Sequence, residues 1–286
     1  MKWVRSLNSE SGNTTVKEAK ELTNISKDVQ KRIMTGDKSL ILPLISYYGT
    51  GRLYAQKKEK KNIKSLTEFK RQVGYVDCMV AESNEKLMLN WFQIQTLKSL
   101  QKQQRTGKVE KPLLLRTVEA AICKCFERIS SSKNASIVFD LDTHRLVLDF
   151  ESVDGSLQKF AMDEMSDGYK NILSMIGDIA YRMAVLNPML GDKVLEETSG
   201  VVVIDEIDLH LHPKWQQTII SDLNTIFPKI QFIVSSHAPA VINSVRKEQI
   251  RILDNGEARK LIDKMINADL IEKMGEGNKT IYKIKE

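Results

Sequence analysis

Hydrophobic positions recur every three to four residues in much of the first half of the chain, which predicts amphipathic helices. Three segments show this spacing: residues 14–34, 84–105 and 112–131. The last two are predicted to pair as a helical hairpin. Before them, residues 39–48 form a short apolar run typical of a buried strand, and residues 52–75 are polar and basic, which indicates a loop.

From residue 136 the hydrophobic period falls to two, which predicts a small antiparallel β element. Its strands are expected at Ser136–Asp142, Arg145–Glu151 and Leu157–Phe160. A helix from Tyr169 to Leu186 follows. The last third then alternates between strands and helices: Gly200–Ile204 (strand), Lys214–Phe227 (helix), Gln231–Ser235 (strand), Ala238–Val245 (helix) and Gln249–Leu253 (strand). Unbroken apolar strands that alternate with helices favour an α/β fold with a mostly parallel sheet.

Composition excludes several classes of protein. The chain has 286 residues, 42% of them hydrophobic and 28% charged, which is ordinary for a globular protein with a real core. It contains no run of roughly 18 apolar residues, so no membrane partner is expected. The first residues lack a signal-peptide pattern, and the three cysteines form no CxxC pair. These features predict a cytoplasmic protein.

The formal net charge is +6, and part of the excess lies in one lysine-rich run, Lys57–Lys64. Such a run is able to contact the phosphates of DNA. The alternative interpretation is a solvated loop. Aromatic residues are not interleaved with the lysines, which argues against a platform for stacked bases.

Two carboxylates follow the apolar strand Gly200–Ile204 directly. In a parallel sheet, this position puts Asp205 and Glu206 at the edge where functional loops gather. Phosphoryl transfer needs one carboxylate to hold Mg²⁺ and a second group to orient or deprotonate the attacking water. Asp205 suits the first role and Glu206 the second. The alternative is that acids simply begin a loop here.

Two further stretches carry polar residues in suggestive places. The strand Gln231–Ser235 is followed by Ser236 and His237, and Ser166-Asp167-Gly168-Tyr169-Lys170 opens the long helix. Free N–H groups at a helix N-terminus favour phosphate oxygens, although the same residues are also typical of a plain helix cap. Between the acids and His237 lies His210-Leu211-His212, which is a weak zinc signal without a third ligand.

In chain order, these motifs resemble the signature, Walker B, D-loop and H-loop series of the ABC ATPases, in the branch of the SMC, RecF and OLD-like proteins. The resemblance implies an ABC-type P-loop NTPase head that uses ATP and Mg²⁺. It implies Asp205 as the metal ligand, Glu206 as the general base and His237 at the γ-phosphate. It also implies nucleotide contacts from the signature and D-loop residues: Ser166, Asp167, Gly168, Tyr169, Lys170, Asp208 and His212. In that family two subunits pair head to tail, so Ser166 and Gly168 would act on the partner's nucleotide.

A narrower resemblance rests on residues 42–53 (LPLISYYGTGRL), 74–79 (GYVDCM) and Trp91-Phe92. These stretches are similar to the bacterial AAA-family ATPases of anti-phage systems, of the Septu and retron-associated kind. The resemblance implies a separate nuclease effector as partner. Arg52, within the first stretch, is expected either to reach a phosphate or to make a loop contact.

The family pattern fails at one point. The phosphate-binding motif G-x-x-x-x-G-K-[ST] is absent from the sequence, although residues 34–39 (MTGDKS) and 275–280 (GEGNKT) come near it. Two explanations stay open: a fragment of a longer ATPase, or a natural chain that lacks its own P-loop and completes the site of a partner.

The predicted organisation has three parts: residues 1–75 as the remnant of a first ATPase lobe without its P-loop, 76–135 as a helical insertion, and 136–286 as the β element with the signature helix and the Walker B, D-loop and H-loop core. The predicted function is that of a dimeric Mg²⁺-dependent ATPase in phage defence. The alternatives are a non-hydrolysing partner subunit or pseudo-ATPase, and a RecF-like DNA-repair ATPase.

Overall fold

The computed structural model describes residues 20–53, 71–80, 85–108, 110–251, 271–274 and 281–284. The chain divides into two compact units. One comprises Met1–Leu40 with Lys247–Glu286, and the other is Ile41–Arg246. Every predicted site residue belongs to the second unit, whereas the lysine run at 57–64 lies outside the described residues.

The regular elements are numbered in chain order. The helices are α1 (Lys20–Met34), α2 (Glu85–Thr106), α3 (Leu113–Ser130), α4 (Asp167–Leu186), α5 (Val194–Glu197), α6 (Pro213–Gln216), α7 (Ile219–Ile226) and α8 (Pro239–Asn243). The strands are β1 (Leu44–Tyr48), β2 (Lys133–Asp140), β3 (Arg145–Glu151), β4 (Leu157–Ala161), β5 (Gly200–Ile204), β6 (Ile230–Val234), β7 (Ile271–Met274) and β8 (Ile281–Ile284). Short 3₁₀ helices lie at Thr50–Leu53, Arg71–Tyr75, Met162–Glu164, Pro188–Lys193 and Lys247–Gln249.

A parallel sheet forms the centre of the larger unit, with the strand order β1-β5-β6. The register pairs Tyr48 with Ile204 and Ile204 with Val234, so the three strands end at the same level. Gly200 permits the close pairing, because a Cβ there would lie 2.1 Å from the carbonyl oxygen of Leu44. The residues that follow the three strands therefore meet at one edge, as the α/β prediction requires.

Helix α4 is the core of this unit, and from Asn171 onward nearly all of its residues are buried. It packs against β1 and against helices α2 and α3. The approach is close at Gly177, where a Cβ would lie 2.8 Å from the sulfur of Met88 and 3.2 Å from Ile122. The second sheet, in the order β2-β3-β4, is antiparallel as predicted. Phe150 of β3 meets Phe126 of α3 with their ring centroids 4.7 Å apart.

A buried polar network fixes α4 to β1. Asp178 accepts hydrogen bonds from the hydroxyl of Tyr48 (2.8 Å) and from Nε of Arg182 (2.7 Å). Arg182 also donates to the carbonyls of Gly74 and Val76, both at 2.9 Å. Burial alone would lower the pKa of Arg182, but Asp178 and Tyr48 stabilise its charge, so its pKa is raised. The network joins the 3₁₀ helix Arg71–Tyr75 and the residue after it to the core.

Three predicted elements differ in the structure. The helix expected at Lys214–Phe227 is broken into α6 and α7, because Thr218 donates to the carbonyl of Trp215 and tightens the chain into a turn. The strand expected at Gln249–Leu253 is wrong over its described part, since Gln249 ends a 3₁₀ helix and Ile250 donates to Lys247. The strand expected at 39–48 begins only at Leu44, directly after Pro43.

Helix α1 is described from Lys20, and the first six residues of the predicted segment 14–34 lie outside the described residues. It ends at Met34, and the positive φ of 73° at Gly36, two residues later, suits the predicted C-cap. In the described part of the chain, no helix combines the length and the apolar character that crossing a membrane requires.

Candidate functional site

The two predicted acidic residues lie where β5 ends. The N–H of Asp205 donates to the carbonyl of Tyr48 over 2.8 Å, which extends the pairing of β1 and β5 by one residue. Glu206 then reverses the chain, with φ at 46°, in the left-handed region. Such a backbone costs a non-glycine residue about 1–3 kcal/mol and persists only where the surroundings hold it. Both side chains are half-buried.

Serines that follow β6 contact the acidic segment, residues 205–208. The hydroxyl of Ser235 donates to Oδ1 of Asp205 (2.5 Å), and its oxygen accepts the N–H of Glu206 (2.8 Å). The hydroxyl of Ser236 donates to Oδ1 of Asp208 over 2.5 Å. The two strand ends are thus joined through side chains, and one serine contacts both the Asp205 carboxylate and the Glu206 backbone.

Arg52 holds the same segment from the side of β1. Its guanidinium donates to the carbonyls of Asp205 (2.7 Å) and Glu206 (2.9 Å), and also to that of Gly49 (3.0 Å). Its Nε donates to Oδ1 of Asn171 over 2.7 Å. The structure therefore shows the loop contact that was one of the two roles expected of Arg52.

Electrostatics at the site follow from this arrangement. Burial lowers the pKa of the Arg52 guanidinium, and the carboxylates of Asp205, Glu206 and Asp208 oppose that shift. The Tyr47 hydroxyl has a raised pKa, first because it is partly buried and second because Asp205 is negatively charged. Arg52 is therefore a buried cation that offsets three neighbouring acids.

The first turn of α4 carries the residues that resemble the ABC signature. Ser166 occupies the N-cap position but makes no capping hydrogen bond with its side chain, so the plain-cap interpretation does not explain this serine. Asp167 is exposed, and its carboxylate lies 3.4 Å from Nζ of Lys170. Gly168 is buried, and Tyr169 packs edge-on against Trp215 with the ring centroids 4.5 Å apart.

The turn after the acids packs directly on this helix start. A Cβ on Gly168 would lie 2.6 Å from the carbonyl oxygen of His210, which explains the glycine. His212 is the N-cap of α6, and its Nδ1 accepts the N–H of Lys214 over 3.3 Å. His212 therefore has a local structural role in addition to the nucleotide contact that the resemblance implies.

The structure brings Asp205, Glu206 and Asp208 together with the serines after β6. His237 is exposed and follows Ser236 in the chain. Two participants were not predicted, Ser235 and Asn171. For Arg52 a loop contact was expected, but its particular acceptors were not predicted. Ser235 and Ser236 directly precede the predicted histidine, and this position at a strand end was the available signal.

The carboxylate and hydroxyl oxygens at the ends of β5 and β6 suit Mg²⁺ better than zinc. Among the residues that the structure describes, no three His, Cys, Asp or Glu side chains are grouped so that they could hold a metal ion. Mg²⁺ is commonly bound through one or two carboxylates, with water and substrate phosphates as its other ligands. The Asp205 carboxylate, oriented by the Ser235 hydroxyl, suits that mode of binding.

Comparison with protein families matches residues 46–243 to the family described as "AAA domain, putative AbiEii toxin, Type IV TA system". The match begins within β1 and covers α4 and the entire acidic segment.

Three curated relatives match a shorter stretch. The Retron Vc95 probable ATPase of Vibrio cholerae serotype O1 biovar El Tor is 48% identical over 95 residues, which are 33% of this chain and 18% of the relative. The Retron Ec83 probable ATPase of Escherichia coli is 44% identical over 105 residues (37% and 19%). The Septu protein PtuA of Bacillus mycoides is 37% identical over 98 residues (34% and 13%). The matches thus span less than a fifth of each relative.

Two solved structures resemble the chain more distantly. One, from work on the dimerization of SMC ATPases, is 14% identical, covers 56% of this chain and 94% of its own, and has a TM-score of 0.32. The other, the recombination mediator protein RecF, is 13% identical, covers 69% and 63%, and has a TM-score of 0.28.

Proposed function

Because this chain belongs to the AAA-domain family that it matches over residues 46–243, we propose that it binds and hydrolyses ATP in a bacterial anti-phage system of the retron or Septu kind. The observation that carries the proposal is the end of β5. Two adjacent carboxylates stand there. Arg52 binds both backbone carbonyls, and Ser235 binds the Asp205 carboxylate and the Glu206 N–H.

Each residue of the acidic segment has a role in this proposal. Asp205 is the carboxylate that would hold Mg²⁺, an ion that supplies charge stabilisation to the phosphate oxygens. Glu206 accepts the proton of the attacking water as the general base. His237, at the exposed end of the neighbouring strand, contacts the γ-phosphate and orients that water. Asp208 and His212 contribute to the nucleotide surface through the turn that follows the acids.

The second half of the site is proposed to come from another copy of the chain. Ser166 and Asp167 are exposed, at the N-terminus of a 20-residue helix whose dipole favours an anion. In a head-to-tail dimer, the first turn of α4, from Ser166 to Lys170, would face the nucleotide bound to the partner. We further propose that a separate nuclease is the effector and that the protein acts in the cytoplasm.

The test is the substitution Glu206→Gln. It removes the base and retains the size of the side chain, so ATP hydrolysis should fall at least about 100-fold while ATP binding persists. The matched control is Glu196→Gln, an exposed acid on α5, which should leave hydrolysis unchanged. Light scattering of the Glu206→Gln variant with Mg·ATP should detect a dimer.

The alternative functions give different results in the same experiment. A non-hydrolysing partner subunit would show no turnover that depends on Glu206. A RecF-like repair ATPase would bind DNA with an affinity that falls steeply with salt. Neutralising the lysines of the 57–64 run would then reduce the slope of that dependence.

A further inference from the structure

Arg52 donates hydrogen bonds to acceptors on three segments of the fold. The residue is 7% exposed, and it spans acceptors on three different segments: the loop after β1, the acidic turn after β5 and helix α4. A planar guanidinium is able to serve several acceptors at fixed angles, whereas a lysine ammonium is a compact donor on one atom. The geometry therefore depends on an arginine at this position.

Asn171 extends the same connection. It is buried in the second turn of α4, where its Oδ1 accepts from Arg52 and its Nδ2 donates to the carbonyl of Leu209 over 3.0 Å. Leu209 in turn donates its N–H to the carbonyl of Glu206 at 2.9 Å. One amide side chain thus touches both the arginine that holds the acids and the turn that follows them.

Helix α4 also meets that turn through Gly168, which lies against the carbonyl of His210. We propose that Arg52 and Asn171 are positioning residues that join the first turn of α4 to the acidic turn, so that a displacement of either segment is transmitted to the other. This inference rests on the proposed function, in which the two segments face the nucleotides of two different sites in a dimer. Arg52 and Asn171 would then couple those sites.

The Glu206 backbone has a conformation that needs surrounding contacts to hold it. Its left-handed conformation is unfavourable for a residue with a Cβ, and three contacts hold it: Ser235 on the N–H, and both Arg52 and Leu209 on the carbonyl. Loss of Arg52 removes one contact from Glu206 and one from Asp205 at once. The backbone of both acids would then be held less firmly, although the two residues themselves are unchanged.

The experiment compares hydrogen exchange in wild-type protein, Arg52→Lys and Asn171→Ala, with two peptides as readouts: residues 205–211 and residues 166–172. Each substitution should speed exchange roughly 10-fold in both peptides, since each removes hydrogen bonds in a buried setting. The double variant should be no worse than the more affected single variant. The matched control is Arg71→Lys, another arginine that donates to a backbone carbonyl, that of Leu186 at the far end of α4; it should leave both peptides unchanged.

Exchange confined to residues 205–211 in Asn171→Ala, or unchanged in both peptides for folded Arg52→Lys, would overturn the proposal. ATP hydrolysis is a separate readout: Arg52→Lys should lower kcat roughly 10-fold while KM changes little, because a positioning role acts on orientation. An equal loss in kcat for Arg71→Lys would also overturn it. If wild-type protein hydrolyses no ATP, the proposed function fails, while the exchange result still decides whether the two turns are joined.

Discussion

Ser235 donates its hydroxyl hydrogen to Oδ1 of Asp205 over 2.5 Å, which ties the end of β6 to the candidate metal ligand at the end of β5. We expect Ser235→Ala to lower ATP hydrolysis roughly 10-fold, since a hydrogen bond to a charged group is lost, and to raise the Mg²⁺ concentration needed for half-maximal rate. Steady-state kinetics at varied Mg²⁺ measures both effects.

Ser235→Thr retains the hydroxyl and should recover most of the activity. Ser244→Ala is the matched control, because the Ser244 hydroxyl donates to a local acceptor, the carbonyl of Val241. Equal rates for Ser235→Ala and wild-type protein would show that the contact is not needed for orientation.

Gly168 separates the start of α4 from the carbonyl oxygen of His210. We expect Gly168→Ala to destabilise the fold by about 1–3 kcal/mol, because the new methyl meets backbone that has no flexible end to move. Urea unfolding measures the change. The control is Gly51→Ala, where a Cβ meets no atom within 4 Å; similar losses for both variants would contradict the close approach.

The buried pair of Asp178 and Arg182 should be costly to break on one side. Asp178→Ala leaves a buried guanidinium without its carboxylate, so the free energy of unfolding should fall by about 3–5 kcal/mol. The double variant Asp178→Leu with Arg182→Met should lose less than the single one, because no unpaired charge remains. A denaturant double-mutant cycle tests this.

The exposed pair of Lys102 and Glu110, with N and O atoms 2.7 Å apart, is the comparison for the buried pair. Glu110→Gln should leave the unfolding midpoint unchanged, because surface pairs add little stability. A loss as large as that of Asp178→Ala would mean that burial is not what makes the Asp178 pair important.

The three cysteines should be poorly reactive in the folded protein. Burial raises the pKa of Cys78, and it raises the pKa of both Cys123 and Cys125 to about 12 from an ordinary value of 9.0. The thiols therefore stay protonated near pH 8, and iodoacetamide should label native protein far more slowly than urea-unfolded protein. Intact-mass spectrometry follows the labelling.

The same shifts predict how stability depends on pH. Because the folded pKa values lie above the unfolded ones, the stabilising contribution is complete below pH 9 and is lost as the pH rises toward 12. A Cys125→Ala variant should show a shallower loss over that range. An identical pH profile for this variant would contradict the shift at Cys125.

The local sequence pattern was sufficient to predict the elements whose hydrophobic spacing is regular. The strand Gly200–Ile204 and the helix ending at Leu186 have the predicted bounds within a few residues, because apolar runs and a full apolar helix are readable over short windows. The break between α6 and α7 was not predictable this way, since the residues on both sides keep helical spacing. Their turn depends on Trp215, which packs against the distant Tyr169.

In the candidate site, too, local features were predictable from the sequence and long-range contacts were not. Asp205 and Glu206 could be located from their position after an apolar strand. The partners that hold them could not, because Arg52 is 153 positions from Asp205 and Asn171 is 38 positions from Leu209. Hydrogen bonds from a side chain to a remote backbone carbonyl leave no periodic trace in the sequence.

The parallel pairing of β1 with β5 also has a consequence for biosynthesis. Leu42 beside β1 bonds to Asn187, 145 positions later, and the partner strand begins only at Gly200. At about 5–20 residues per second, a ribosome needs roughly 8–30 s to make the intervening chain. The apolar segment around Leu44 must wait that long without its partner strand, so the nascent protein is most vulnerable to aggregation before its last third emerges.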